Sequence, residues 1–420
     1  MRTRCSPSLL AALLLGLLAP SAFAQVPENL EARERFREAM LGTLRENADL
    51  PAGVLVQDGG PRVLFRTERS NGALYTLFVN EQGAAFPIAG SGSWVIKRDV
   101  QDGGFLQAKV FYRSDEGCFV RLFPSGQRTL LEAYLFGVRV ARRAQLPLPF
   151  SAALTSPFSR IRELSGRQLR WDLLLAQGEP SADGHQVETV RRIRAALGSL
   201  HQADDGAMDE EGRFVRIADS APQGPGGGLN CSGFAKWVVD GFYGPLAGGR
   251  YLPVEGLKAR HPELRGNRWS RSYEQERDPY FGLDWARNLA VALSEAYGEP
   301  APGPEACDVR QLDYLEYRED VGYSLDELEL ALFLDACRNP GSFYIGSFNR
   351  EMGGQPVLRQ HHHLAVFLPY FTPAGDFRVA VFDLGRESSL LESRQRFAGH
   401  FVHLERLSAR GEWVAPRARS

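Results

Sequence analysis

The sequence predicts an α+β fold in which a β-rich domain precedes a domain that packs a cysteine-bearing helix start on an antiparallel sheet. Two observations carry this prediction. Short apolar runs separated by turn residues fill residues 51–150, as is typical of antiparallel strands. Farther along, a glycine-rich loop at 223–228 leads into Cys231 and an apolar-periodic helix, and a histidine-led hairpin follows at 361–384.

The first residues predict the compartment. Arg2 and Arg4 precede the apolar run 9–18, and a small-x-small cleavage site ends at Ala24, so we expect residues 1–24 to be a signal peptide. The run is too short to span a membrane as a helix, which takes about 20 residues. We therefore expect a periplasmic or secreted protein with no membrane insertion after signal cleavage.

The rest of the chain divides into four segments. Residues 25–50 have the amphipathic spacing of a helical lead-in, and residues 51–150 form the β-rich domain, as a sandwich or a barrel. A helical linker region covers 151–205. The domain that bears the cysteine covers 206–420, with an insertion at about 245–339.

The composition excludes several classes of protein. With 44% hydrophobic and 24% charged residues, the chain has ordinary globular values. The formal net charge is −2 and the sequence contains no basic run, so we expect no nucleic-acid partner. It also lacks phosphate-loop, GxSxG and HExxH motifs, and we expect no cofactor. The oligomeric state stays open.

Cleavage of the signal peptide, which contains Cys5, leaves four cysteines. They are Cys118, Cys231, Cys307 and Cys337, and an oxidising compartment permits disulfides between them. If Cys231 is a free nucleophile, one bridge at most forms, and we expect it between Cys307 and Cys337. The alternative is that the three other thiols are buried small apolar groups.

Cys231 stands where a helix start activates a thiol. The positive end of a helix dipole and its unpaired N–H groups stabilise a thiolate, which lowers the cysteine pKa from about 8.5. The same N–H groups can hold the oxyanion of a tetrahedral intermediate. Ser232 follows directly, and Gln223 in the preceding loop is a candidate for a further oxyanion-hole amide.

A base for this thiol is available at the mouth of the predicted hairpin. Strand alternation puts His361 and His363 on one face and His362 on the other. Asp383 ends the returning strand and is placed to orient an imidazole as the third member of a triad. Adjacent imidazoles also bind metals, but alternation separates these three, so we expect no metal ion.

The motif Asn-Cys-Ser-Gly-Phe at 230–234 resembles the Asp-Cys-Ser-Gly-hydrophobic signature of the NlpC-type cell-wall peptidases, a papain-like family of secreted peptidoglycan hydrolases. A Pro-Gly-led strand at 340–345 and the histidine-led strand resemble that family too. The resemblance implies a papain-like catalytic domain with Cys231 as nucleophile, His363 as base and Asp383 as third polar residue. His361 is a secondary candidate.

This resemblance implies a secreted cysteine hydrolase that cuts amide bonds in peptidoglycan stem peptides, or in another peptide substrate, through a thioester acyl-enzyme. The sequence departs from the pattern of that family in two respects: Asn230 replaces the usual Asp, and the insertion is long. Two alternatives stay open. The first is a transglutaminase-like acyl transferase or protease with the same order of Cys, His and Asp. The second is a non-catalytic envelope-binding protein in which the β-rich domain performs the binding.

Overall fold

A computed structural model describes residues 25–264, 278–299, 303–353 and 357–419. Two large antiparallel sheets, with helices packed on them, form an α+β fold, which confirms the predicted class. The predicted signal peptide lies outside the described residues. In the described ranges, no helix combines the length and the apolar character that crossing a membrane requires.

The predicted helical lead-in consists of three short helices. They are α1 (Leu30–Arg35), α2 (Arg37–Leu41) and α3 (Leu44–Ala48). Thr43 and Glu46 cap α3 reciprocally, each side chain bonding the backbone N–H of the other. Arg33 is fully buried and donates hydrogen bonds to the carbonyls of Leu154 and Ser156, which ties the lead-in to the segment after the first sheet.

The first sheet contains eight strands that pair in chain order, each antiparallel to the next. They are β1 (Gly53–Leu55), β2 (Val63–Ser70), β3 (Ala73–Asn80), β4 (Trp94–Asp99), β5 (Phe105–Phe111), β6 (Phe119–Ser125), β7 (Arg128–Leu135) and β8 (Val138–Leu146). The strand order is thus that of an antiparallel meander, with β1 and β8 at its two ends. The sandwich or barrel expected for residues 51–150 stays a prediction.

Helices follow the first sheet, as predicted for the linker region. They are α4 (Phe150–Leu154), α5 (Phe158–Ser165), α6 (Trp171–Leu174) and α7 (Pro180–Ala196). Proline stands at the start of three of them, where its missing N–H costs no helical hydrogen bond. Gln186 of α7 is buried and donates to the carbonyl of Ser342 at 2.6 Å, which connects this region to the second sheet.

The second sheet contains six strands, preceded by a two-stranded pair, β9 (Ala207–Met208) and β10 (Phe214–Val215). Its order is β11-β16-β12-β13-β14-β15, antiparallel throughout. The strands are β11 (Tyr323–Ser324), β12 (Ser342–Met352), β13 (Leu358–Phe371), β14 (Phe377–Asp383), β15 (Arg386–Ser388) and β16 (Phe401–Ser408). The accompanying helices are α8 (Cys231–Leu246), α9 (Val254–Leu257), α10 (Phe281–Ala296), α11 (Leu328–Arg338) and α12 (Leu390–Arg396).

Both faces of the second sheet are buried. On β13, Leu364, Val366 and Leu368 belong to the core that contains α8 and α10. Ala365 and Phe367 alternate with them and belong to the core that contains α11 and the first sheet. The uninterrupted apolar run of β13 in the sequence follows from this burial on two sides.

The predicted insertion supplies part of the core that contains α11 and the first sheet. Phe333 of α11 is fully buried. Its ring centroid lies 5.1 Å from that of Phe136 in the first sheet's region, 5.9 Å from Phe371 and 5.2 Å from Phe377. The β-rich domain and the second sheet consequently share one continuous apolar core.

The expected disulfide is absent, and Cys118, Cys231, Cys307 and Cys337 are all free. The prediction fails because Cys307 belongs to the core beside α10, whereas Cys337 packs on the core beside α11. The second sheet lies between these two cores, so the thiols cannot meet. The alternative of buried, unpaired thiols describes Cys118 and Cys307, which are both buried.

Candidate active site

Cys231 is the first residue of α8, as the sequence predicts. Asn230 caps this helix, and its side-chain oxygen accepts the N–H of Gly233 at 2.9 Å. A side chain is excluded at Gly233, because a Cβ there would lie 1.9 Å from the carbonyl oxygen of Gly206. The start of α8 is therefore held tightly against the chain at 206–207, with the cysteine partly exposed.

Gln223 does not point an amide toward the thiol. Its Nε2 donates to the carbonyl oxygens of Val215 at 2.9 Å and Gly228 at 3.0 Å, while its Oε1 accepts the N–H of Gly228 at 2.9 Å. The amide nitrogen is thus engaged by one carbonyl of β10 and one of the glycine-rich loop. The expected oxyanion role is not supported, and Gln223 braces the loop that leads to Cys231.

The three adjacent histidines have different environments, as strand alternation predicts. His361 pairs with Asn349 and His363 pairs with Phe348, so His362 is the extra residue of a β-bulge. His361 and His363 are buried and His362 is exposed. The bulge separates the two buried imidazoles, and they contact different groups.

His361 lies in a closed internal site. Its Nδ1 lies 3.0 Å from Ser347 Oγ, its Nε2 lies 2.9 Å from the carbonyl oxygen of Asp320, and its ring stacks on Tyr280. Burial lowers the pKa of His361 well below its ordinary value. This secondary candidate is therefore a neutral, structural histidine.

His363 connects Cys231 to Asp383. His363 Nε2 lies 2.8 Å from Asp383 Oδ1, and both side chains are nearly buried. A carboxylate only accepts hydrogen bonds, so Nε2 carries the proton. The imidazole also interacts with the Cys231 thiol, which lowers the pKa of the thiol and raises that of the imidazole. The fold thus brings together the three principal candidates from α8, β13 and β14.

The electrostatics of the pair favour charge separation. Burial acts to raise the pKa of Cys231, but the hydrogen bond from His363, the charge on its ring and the N–H of Leu364 together lower it. For His363, burial acts in the opposite sense, and its contacts with Asp383 and Cys231 raise its pKa to about 9. These contacts stabilise a thiolate beside an imidazolium.

Two residues at the C-terminal end of α12 complete the surroundings of the triad. The sequence did not predict a role for either of them. Arg396 Nη1 donates to Asp383 Oδ2 at 2.6 Å. The ring centroid of Phe397 lies 5.0 Å from that of His363. Nothing in the sequence distinguishes this arginine from its neighbours in a charged helix, so only the tertiary contact identifies it.

An open cleft of about 460 Å³ gives access to Cys231. Its lining includes Ser232, Phe281 and the exposed His362. The side chain of Ser232 helps to lower the pKa of the thiol, and the Ser232 carbonyl accepts a hydrogen bond from Trp285 Nε1 at 3.0 Å. The predicted insertion therefore contributes Phe281 to the cleft, while the buried Trp285 supports the wall behind it.

A second cluster has the donor types of a metal site. Ligand atoms of the buried residues Asp308, His403 and Glu405 lie within 4.8 Å of one another. Arg287 Nη2 and Arg310 Nη2 already donate to Asp308 Oδ2 at 2.7 and 2.8 Å, and His403 Nδ1 lies 2.6 Å from Glu405 Oε1. Because the two guanidinium groups supply the positive charge, this cluster is best described as a structural ion-pair network.

The comparisons with known proteins concern the other end of the chain. A family model described as "Domain of unknown function (DUF8515)" matches residues 22–173. This segment contains the lead-in helices, the first sheet, α4 and α5, and it ends before Cys231. No curated protein and no solved structure matches the chain. The matched family model therefore does not include the residues around Cys231.

Proposed function

We propose that this protein is a cysteine hydrolase of papain-like architecture that cleaves amide bonds. The observation that supports it is the arrangement beside an open cleft of Cys231, the His363 imidazole that interacts with its thiol, and Asp383, which is hydrogen-bonded to His363. Three separate elements contribute these side chains. The nucleophile lies next to the base, and the base lies next to the group that orients it, which is the arrangement that acyl transfer needs.

In the proposed reaction, the Cys231 thiolate attacks the carbonyl carbon of an amide, and the carbonyl oxygen takes the negative charge. Protonated His363 then gives its proton to the leaving amine as the C–N bond breaks, which leaves a thioester. A water molecule gives a proton to His363 as its oxygen attacks the thioester. Departure of the thiolate releases a carboxylic acid and restores the pair.

The start of α8 can serve as the oxyanion site. The N–H groups of Gly233 and Phe234 are donated to Asn230. Among the described residues, no acceptor contacts the N–H groups of Cys231 and Ser232. They lie beside the nucleophile at the positive end of the helix dipole, where they favour a developing negative charge.

We further propose peptidoglycan stem peptide as the substrate and the periplasm or the extracellular space as the compartment. The export signal expected at residues 1–24 and the family resemblance at 230–234 support this choice. The polar side chains of Gln202, Asn230 and His362 in the cleft suit a peptide backbone. Transfer of the acyl group to an amine in place of water, as in transglutaminase-like enzymes, requires the same three residues.

The test is digestion of purified peptidoglycan with the mature protein, followed by mass spectrometry of the soluble fragments. Cys231→Ala and His363→Ala are compared with the wild type, and Cys337→Ala serves as the matched thiol control. Fragments from the wild type and the control alone support the proposal and identify the bond. If the wild type neither releases fragments nor reacts at Cys231 with a thiol probe, the hydrolase proposal is wrong and the envelope-binding alternative takes its place.

A further inference from the structure

We propose that Arg396 is a positioning residue of this site, fixing the carboxylate of Asp383 so that it holds the His363 ring toward Cys231. The inference rests on the proposed function, since it concerns how the same triad is kept in order. Among the described residues, Arg396 forms no hydrogen bond with the thiol or the imidazole, and it acts through Asp383.

The Asp383 carboxylate is bonded at both of its oxygens. Oδ1 accepts from His363 Nε2 at 2.8 Å, and Oδ2 accepts from Arg396 Nη1 at 2.6 Å. A carboxylate held at one oxygen only is free to turn about its Cβ–Cγ bond. The charge-assisted bond at the second oxygen fixes its plane, and with it the direction of the bond to the imidazole.

The next residue restrains the imidazole directly. The Phe397 ring lies 5.0 Å from the His363 ring and 4.5 Å from the Phe348 ring, and the Arg396 guanidinium lies 4.8 Å above the Phe397 ring. Consecutive residues at the end of α12 therefore contact Asp383 and His363, the two members of the triad that must not rotate.

Helix α12, which ends at Arg396 and is followed by Phe397, is held in place by a cap and by ion pairs. Ser389 caps α12 by accepting the N–H of Glu392 at 3.1 Å. Arg394 pairs with Glu329 of the buried helix α11 at 3.0 Å, and Arg386 pairs with Glu392 at 2.6 Å. The neighbouring arginines thus have carboxylate partners of their own, whereas the partner of Arg396 is Asp383.

The experiment measures the rate of Cys231 alkylation by iodoacetamide as a function of pH, which requires no substrate. In Arg396→Ala, a loosened Asp383 stabilises the imidazolium less, so the thiolate forms at higher pH. We expect a shift of about one pH unit, which is about a tenfold slower reaction on the acid side of the profile. Arg396→Lys, which keeps the charge and one donor, is expected to recover part of that loss.

Arg394→Ala is the matched control, because it removes a neighbouring arginine of α12 that pairs with Glu329. Its profile should coincide with that of the wild type, and thermal melting checks that each variant is folded. If Arg396→Ala also coincides with the wild type, the positioning role is wrong while the proposed triad stands. An ordinary cysteine profile in the wild type itself would overturn both proposals.

Discussion

His363 and Asp383 are in hydrogen-bond contact at 2.8 Å, just beyond the last backbone pair of the β13–β14 hairpin, Val366 with Phe382. The two strands separate at this point, and the start of α8 enters beside them with Cys231. The hairpin therefore fixes base and carboxylate together, while a distant part of the chain delivers the thiol. Each of these three contributions can be perturbed separately.

The two buried histidines of β13, His361 and His363, should respond oppositely to substitution. His361→Leu leaves Ser347 Oγ and the Asp320 carbonyl without their partner, so we expect it to lower the free energy of unfolding by about 1–3 kcal/mol. The alkylation profile of Cys231 should stay unchanged. His363→Gln should abolish the low-pH reactivity of Cys231, because the imidazolium that lowers the thiol pKa is gone. Urea unfolding and iodoacetamide kinetics on both variants distinguish these outcomes, and equal effects on Cys231 would contradict the assignment.

Asn230→Asp is expected to stabilise the helix while weakening the nucleophile. A carboxylate at the cap of α8 interacts favourably with the helix dipole, which contributes about 0.3–1 kcal/mol. The same charge lies next to the thiolate and should raise the pKa of Cys231. Thermal melting should therefore show a higher midpoint, and alkylation should require higher pH. Asn230→Ser, an uncharged cap, is the control and should leave the thiol unchanged.

The shared core predicts that the β-rich domain and the second sheet unfold together. Phe333→Ala removes a fully buried ring that contacts Phe136, Phe371 and Phe377, and such truncations cost about 3–5 kcal/mol. Unfolding followed by circular dichroism and by tryptophan fluorescence should shift to lower denaturant in both signals. Two separate transitions, with only one of them moved, would contradict a single core.

Local patterns in the sequence were sufficient for several parts of this structure. The α+β class, the helix that begins at Cys231 and the hairpin that carries His363 and Asp383 each follow from residues close in sequence. The two-sided burial of β13 depends on how strands and helices meet, which periodicity does not encode. The same holds for Arg396, whose significance lies in one contact between α12 and β14.

Cys307 and Gln223 illustrate the limits of residue type and spacing. A cysteine pair in an exported chain is compatible with a bridge, but the second sheet separates Cys307 from Cys337. A glutamine upstream of a nucleophilic cysteine is compatible with an oxyanion hole, but the amide nitrogen of Gln223 donates to the carbonyls of Val215 in β10 and of Gly228 in the glycine-rich loop. In both cases the competing partner is set by tertiary packing.

The pH dependence of Cys231 alkylation tests the central claim most directly. Burial raises the pKa of Cys118, Cys307 and Cys337, so iodoacetamide should modify Cys231 alone in the native protein, as peptide mass spectrometry can verify. The lowered thiol pKa predicts that the reaction begins below about pH 8.5, where an ordinary cysteine titrates, and that the rate changes a second time near pH 9 as His363 loses its proton. A single titration step at the pH of an ordinary thiol, unaffected by His363→Gln, would contradict the thiolate–imidazolium pair and the catalytic role built on it.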